Sequence, residues 1–181
     1  MTDTKPETET PSYRLWTPQG FREDNWIHAE SIDELRGGFG VILPMQIFFD
    51  LDPHLRVSMK DRLGIHLQPG ERLDAIADIL GDIPLVALSF PAFNDGRSFS
   101  KAELLRSRYR YAGAIRATGQ VLVDQLSHML RVGFDQFEVS HPVLLRRLEE
   151  GRIDDLPVYN QPAARPAARA GKYSWRRLPA I

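Results

Sequence analysis

Between Leu63 and Glu149 short apolar runs alternate with stretches of helical spacing, and this alternation constrains the fold more than any other feature of the chain. Leu63 to Leu67 (LGIHL) reads as a strand. Glu71 to Leu80 follows, with Leu73, Ile76, Ala77 and Leu80 at helical spacing. Pro84 to Phe90 is an apolar run of strand length, as expected of a strand covered on both faces. Ser100 to Glu103 has the form of a capping box, which predicts a helix to about Tyr109. Ala114 to Ala117 reads as a strand, and Val121 to Val132 as a helix stopped by Gly133 in a left-handed conformation. Phe134 to Val139 is a further strand, and Pro142 to Glu149 a helix opening on a permitted proline.

Parallel strands need crossovers, and repeated strand–helix units supply them. The expected fold class is therefore α/β with a mostly parallel sheet, either an open three-layer arrangement or a partial barrel. Upstream, Tyr13 to Trp16 and Asn25 to His28 are strand-like around the turn Thr17-Pro18-Gln19-Gly20, which predicts an N-terminal hairpin. Phe39 to Leu43 is a short apolar run, and Asp52-Pro53 marks the start of a short helix.

Residues 1–11 are polar and expected to be disordered. Residues 12–160 are long enough for a single α/β domain. The stretch 161–181 is Pro/Ala-rich and carries five basic residues with no acidic one. It reads as a solvated tail, or as an arm with Tyr173 and Trp175 as aromatic anchors. The N-terminus lacks the pattern of a signal peptide. The longest apolar run, Phe39 to Phe49, falls short of the roughly 20 residues of a membrane span. A cytoplasmic protein without a membrane is expected. Twenty-three Lys+Arg against twenty-four Asp+Glu give a net charge of −1, which argues against nucleic acid as a partner. The chain has no cysteine, so disulfides, thiol nucleophiles and Cys-held metals are excluded. The five histidines, among them His66 on a strand, show no metal-ligand spacing, and no cofactor fingerprint appears.

In a parallel α/β fold, ligands are expected at the C-terminal ends of the strands. Two segments fall there. One is the loop after Phe90, with Phe93, Asn94, Asp95, Gly96 and Arg97. The other holds Arg116, Thr118 and Gly119, with Asp124 and Gln125 one turn into the next helix. Helix N-termini with Arg97 and Arg116 can hold an anion, and Arg106 belongs to a basic stretch that runs from Arg97 to Arg116. The competing account is structural. Asn94-Asp95-Gly96 is turn chemistry, Arg97 or Arg116 pairs with Asp95 or Asp124, and the basic helix face is simply solvated.

The segment from Phe90 to Glu138 resembles the bacterial family DUF934. The shared features are the Phe-Pro-x-Phe-x-Asp-Gly-Arg loop at Phe90 to Arg97, Leu104-Leu105-Arg106, and Gly113 to Gly119. Asp124-Gln125-Leu126 and Gly133 to Phe137 continue the likeness. Val132 stands where many members carry a cysteine. The resemblance implies a place in assimilatory sulfite reduction, with sulfite reductase or another sulfur-assimilation enzyme as partner. It brings no cofactor to this chain. Three readings follow: an accessory subunit docking through these loops, an enzyme or sensor of a small oxyanion, and a structural module. Self-association stays open.

Overall fold

A computed structural model describes residues 13–31 and 39–153. The expected polar N-terminus and basic tail lie outside these residues. Among the described residues eight strands form one sheet: β1 (Arg14–Thr17), β2 (Gly20–Arg22), β3 (Trp26–His28), β4 (Gly40–Pro44), β5 (Leu63–Leu67), β6 (Leu85–Phe90), β7 (Ala114–Gly119) and β8 (Gln136–Val139). Their order is β2-β1-β8-β7-β6-β5-β4-β3. Strands β3 to β8 run parallel, whereas β1 is antiparallel to both β2 and β8.

The N-terminal hairpin is present, but its second strand is not the expected one. Leu15 pairs with Arg22 and Trp16 with Phe21, so the hairpin closes on β2. Trp26–His28 travels to the far edge of the sheet and pairs in parallel with β4. Gly20, with φ +109°, supplies the left-handed residue that brings β2 back at once.

Among the described residues five α-helices accompany the sheet: α1 (Met45–Asp50), α2 (Pro53–Ser58), α3 (Arg97–Ser107), α4 (Val123–Val132) and α5 (Pro142–Glu149). Asp52 caps α2 as expected, accepting from the backbone N–H groups of His54 and Leu55. Gly133 stops α4 in the left-handed conformation, at φ +107°. Leu73–Asp82 adopts 3₁₀ geometry and buries Leu73, Ile76 and Leu80. The Ser100–Glu103 box lies inside α3 and caps nothing. The helix starts a turn earlier because the Asp95 carboxylate accepts from the Arg97 N–H, and the Ser98 hydroxyl anchors that first turn to the Ser89 carbonyl at 2.6 Å.

The helices cover one face of the sheet. Val41, Leu43, Ile65, Leu67, Val86, Leu88, Ile115, Ala117 and Phe137 point to that face. They join Phe48, Ile76, Ala102, Leu105, Leu126, Met129 and Leu144 of the helical segments in one core. The alternate residues Ile42, Leu85 and Ala87 form a second, smaller cluster with Trp26 and Ala114, all from strands. This second face is concave. In a flat sheet five inter-strand steps would hold β3 and β8 roughly 24 Å apart. His28 on β3 nevertheless lies 2.7 Å from Glu138 on β8. The sheet therefore curls into a half-barrel, so the partial-barrel form of the expected α/β fold is the observed one and the open three-layer form is not.

Candidate functional site

Strand alternation decides which side chains meet inside the curl. In β5 the outward Ile65 and Leu67 flank His66; in β7 Ile115 and Ala117 flank Arg116; in β8 Phe137 and Val139 flank Glu138. His66, Arg116, Thr118 and Glu138 thus project into the concave face, joined by His28 at the end of β3. The floor below them is apolar. The Trp26 indole lies across Gly40, where an added Cβ would come within 2.5 Å of its ring, so glycine is required for the indole to lie there.

Arg116 is fully buried and anchors the cluster. Its two terminal nitrogens donate to the two oxygens of Asp24 at 2.8 Å each. One of them also reaches Glu138 at 3.3 Å, and its Nε donates to Gln136 Oε1 at 2.9 Å. Tyr13 donates its hydroxyl proton to Asp24 at 3.1 Å. Burial, reinforced by the Glu138 and Asp24 carboxylates, pushes the Tyr13 phenol well above its ordinary range, so it stays protonated. Glu138 also holds His28 Nε2 at 2.7 Å, which fixes the imidazole as a donor toward the carboxylate.

His28 stands edge-on to His66, with ring centroids 5.3 Å apart. His66 Nε2 lies 3.2 Å from the Thr118 hydroxyl. Burial, and secondarily the neighbouring His28, lowers the His66 pKa to about 4 despite the opposing pull of Glu138. At neutral pH His66 is an uncharged imidazole. Above the two histidines opens a cavity of about 470 Å³ lined by His28, Ala29, Glu30, Ile42, Pro44 and His66. Two imidazoles, one braced by a buried carboxylate and one held neutral, can accept and return a proton to a small molecule bound there.

Of the residues singled out in the sequence, Arg116 and Thr118 belong to this constellation, though both sit within β7 rather than in a loop after it. Gly119 ends that strand at φ +87°. Arg116 pairs with Asp24 and Glu138, not with Asp124, and Asp124 is exposed in the first turn of α4.

The remaining candidates form a separate loop structure. Asp95 accepts a forked contact from Arg97, at 2.9 and 2.7 Å, which holds its carboxyl below the usual range. Gln125 donates to the Phe93 carbonyl at 2.7 Å, while the Phe93 ring is exposed and Asn94 and Gly96 shape the turn into α3. Arg106 is a brace. It donates to the carbonyls of Tyr111, Gly113 and Gly133 and pairs with Asp135. Lys101 is buried with its ammonium on the Gln68 carbonyl. The expected basic face is therefore dispersed, because Lys101, Arg106 and Arg116 each turn inward to carbonyls or carboxylates.

Sequence reasoning passed over His28, His66, Asp24 and Glu138. The signal that finds three of them is a polar residue flanked by outward apolar ones in three separate short strands: Ile27-His28-Ala29, Ile65-His66-Leu67 and Phe137-Glu138-Val139. A strand whose helix-facing residues are apolar and whose alternate residue is ionisable has a second face with its own business. Asp24 carries no such mark, since it lies in the connection between β2 and β3.

Among the described residues no helix is long and apolar enough to cross a membrane. No curated protein matches the chain. A family model does, over residues 64–169, which takes in β5 to β8 and with them His66, Arg116, Thr118 and Glu138. The chain belongs to the family described as bacterial protein of unknown function, DUF934.

Proposed function

We propose that the chain is a cytoplasmic accessory protein of assimilatory sulfite reduction, and that it acts beside sulfite reductase through a small-molecule site in the mouth of the half-barrel. The observation that carries the site is the convergence of His28, His66, Thr118, Arg116 and Glu138 from four separate strands beneath one open cavity. Burying Arg116, Thr118 and Glu138 together, with His66 half-buried beside them, is costly unless they serve each other and a ligand. The location also fits, since half-barrels and barrels place their chemistry at the C-terminal ends of their strands. In this reading His28 and His66 exchange protons with the ligand, Glu138 braces His28, and Arg116 with Asp24 holds Glu138 in place. The tie to sulfite reduction rests on the family motifs at Phe90 to Arg97 and Gly113 to Gly119.

The reading that the chain binds a small oxyanion at its arginines keeps one supporting feature. Arg97 is exposed at the start of α3 and presents a guanidinium nitrogen that Asp95 does not engage. Arg116 offers nothing comparable, as it is fully buried and each of its three guanidinium nitrogens is engaged by Asp24, Glu138 or Gln136.

The test is complementation. A host lacking this protein is grown with sulfate or sulfite as sole sulfur source, then supplied with wild type, His28→Gln/His66→Asn, or Arg97→Ala. Loss of growth without the protein, rescue by wild type and failure of the double histidine variant are expected. Normal growth of the deletion strain on both sulfur sources removes the pathway assignment. Full rescue by the double variant removes the site. Failure of Arg97→Ala alone moves the oxyanion reading forward.

A further inference from the structure

We propose that Thr118 fixes His66 as an Nδ1–H donor to the cavity, that His28 beside it is the proton acceptor, and that the pair removes an α-proton from a small carbonyl compound. This rests on the reading of that cavity as the working site, and it names the chemistry and the substrate class.

The hydrogen bond between His66 and Thr118 carries the inference. The two residues stand on β5 and β7, on either side of β6. They meet because Ala87, which pairs with His66, puts only a methyl group between them on the concave face. Thr118 is buried, and among the described residues its hydroxyl has His66 Nε2 as its one partner, at 3.2 Å. A buried hydroxyl whose proton is left unpaired is costly, so Thr118 donates and Nε2 accepts. His66 is uncharged at neutral pH, so its single N–H sits on Nδ1. That nitrogen has no partner among the described residues, and it is not sealed in the core as Nδ1 of His128 is. It presents its proton where His66 lines the cavity.

His28 is arranged in the opposite sense. Its Nε2 donates to Glu138 at 2.7 Å, which leaves Nδ1 as the nitrogen able to take a proton. The rings stand edge-on with centroids 5.3 Å apart, a spacing that neighbouring atoms of one small molecule can bridge. A base beside a neutral hydrogen-bond donor is an arrangement for enolisation. His28 Nδ1 takes the α-proton, and Glu138 holds the imidazolium that forms. The electron pair of the broken C–H bond becomes the C=C bond of an enolate, whose negative oxygen accepts from His66 Nδ1–H. Return of the proton from His28 to carbon restores the carbonyl, and nothing is oxidised or reduced. Ala29, Ile42 and Pro44 give the carbon body an apolar wall, in a cavity of about 470 Å³ that suits a compact substrate.

The experiment reads the imidazole nitrogens of the isotope-labelled full chain by proton–nitrogen correlation NMR at neutral pH. His66 of the wild type should show the Nδ1–H tautomer. Thr118→Val, which keeps the shape and loses the hydroxyl, should return His66 to the Nε2–H form that free histidine side chains prefer, and Thr118→Ser should keep the wild-type signature. In heavy water the wild type should exchange the α-protons of hydroxyacetone or butanone about a hundredfold faster than His28→Gln at equal concentration, the lower end of a general-base contribution. Thr118→Val should lose most of that advantage. An Nε2–H tautomer at His66 in the wild type overturns the inference, as does an unchanged signature in Thr118→Val. Exchange of both ketones no faster than with His28→Gln overturns it equally. The complementation test separates the levels. If the double histidine variant fails to support growth while the wild type exchanges no α-protons, the carbonyl chemistry alone falls. If that variant supports growth while the wild type does exchange them, the chemistry stands and the sulfite-reduction role of the site falls.

Discussion

Arg116 on β7 and Asp24 in the β2–β3 connection lie 92 residues apart in sequence and meet through two parallel contacts of 2.8 Å. This forked pair pins the short segment that carries the chain from the hairpin at one edge of the sheet to β3 at the other. Curling brings the two edges near enough for that segment to bridge them, and His28 on β3 then reaches Glu138 on β8. One guanidinium therefore closes the half-barrel and orders the histidine site at the same time.

Replacing that guanidinium should be severe. Arg116→Met leaves Asp24 and Glu138, both mostly buried, without their shared cation. Breaking a buried pair from one side costs about 3–5 kcal/mol. Arg116→Lys should recover only part of this, because an ammonium cannot fork onto both oxygens of Asp24. Urea unfolding monitored by far-UV circular dichroism reads both values. A loss below about 1 kcal/mol for Arg116→Met would show that the carboxylates do not depend on the cation.

The His66 imidazole predicts how stability responds to acid. Its folded pKa of about 4 lies below the ordinary histidine value near 6.5, so between these pH values the unfolded chain binds a proton that the folded chain refuses. Stability therefore rises with pH across this window, and the contribution is lost as pH falls from 6.5 towards 4. The full effect is on the order of 3 kcal/mol at most, since the ring is partly solvated. Thermal unfolding between pH 4 and 7 should show a shallower pH dependence in His66→Asn than in wild type. Equal slopes would place the titration elsewhere.

The parallel sheet was readable because the strands β4 to β8 present outward apolar residues at period two, and because Gly133, Asp52 and Pro142 punctuate the helices by simple local rules. The hairpin was half readable. Pro18 and Gly20 announce the turn, yet whether Phe21 or Trp26 pairs with β1 depends on the far edge of the sheet, which local patterning does not contain. The α/β class directed attention to the strand C-terminal ends, but it did not direct it to the histidine and carboxylate cluster of the concave face. Loops look like sites because they are polar, whereas His66 and Glu138 sit inside apolar strands and reveal themselves only when the second face is known to be enclosed. Arg106 illustrates the converse. Its sequence context is that of a solvated basic helix, and only the tertiary fold brings three carbonyls around it.

Arg106 and Arg97 should accordingly behave differently although both lie on α3. Arg106→Ala strands the carbonyls of Tyr111, Gly113 and Gly133 and takes the guanidinium away from Asp135, with a cost of roughly 2–4 kcal/mol. Arg97 is mostly exposed, and its pairing with Asp95 is a surface contact, so Arg97→Ala should cost less than about 1 kcal/mol. Parallel denaturant titrations decide the matter, and equal losses would contradict the assignment of Arg106 as the brace.

The floor of the concave face is testable through Gly40. A methyl group there would lie 2.5 Å from Cε3 of Trp26 and 2.7 Å from two further ring atoms, so the indole must leave its place. Overpacking of this kind costs about 1–3 kcal/mol. Gly64→Ala should be milder, because its nearest obstacles, the Leu85 carbonyl and side chain and the same indole, stand at 3.1 to 3.3 Å. The expected order of stability is wild type, then Gly64→Ala, then Gly40→Ala. Tryptophan fluorescence of Gly40→Ala should shift as the indole is displaced. Adding Trp26→Ala should remove the clash, so that the double variant is more stable than the sum of the two single losses predicts. Strict additivity would mean that Gly40 is required for the backbone of β4 itself and that Trp26 does not pack across it.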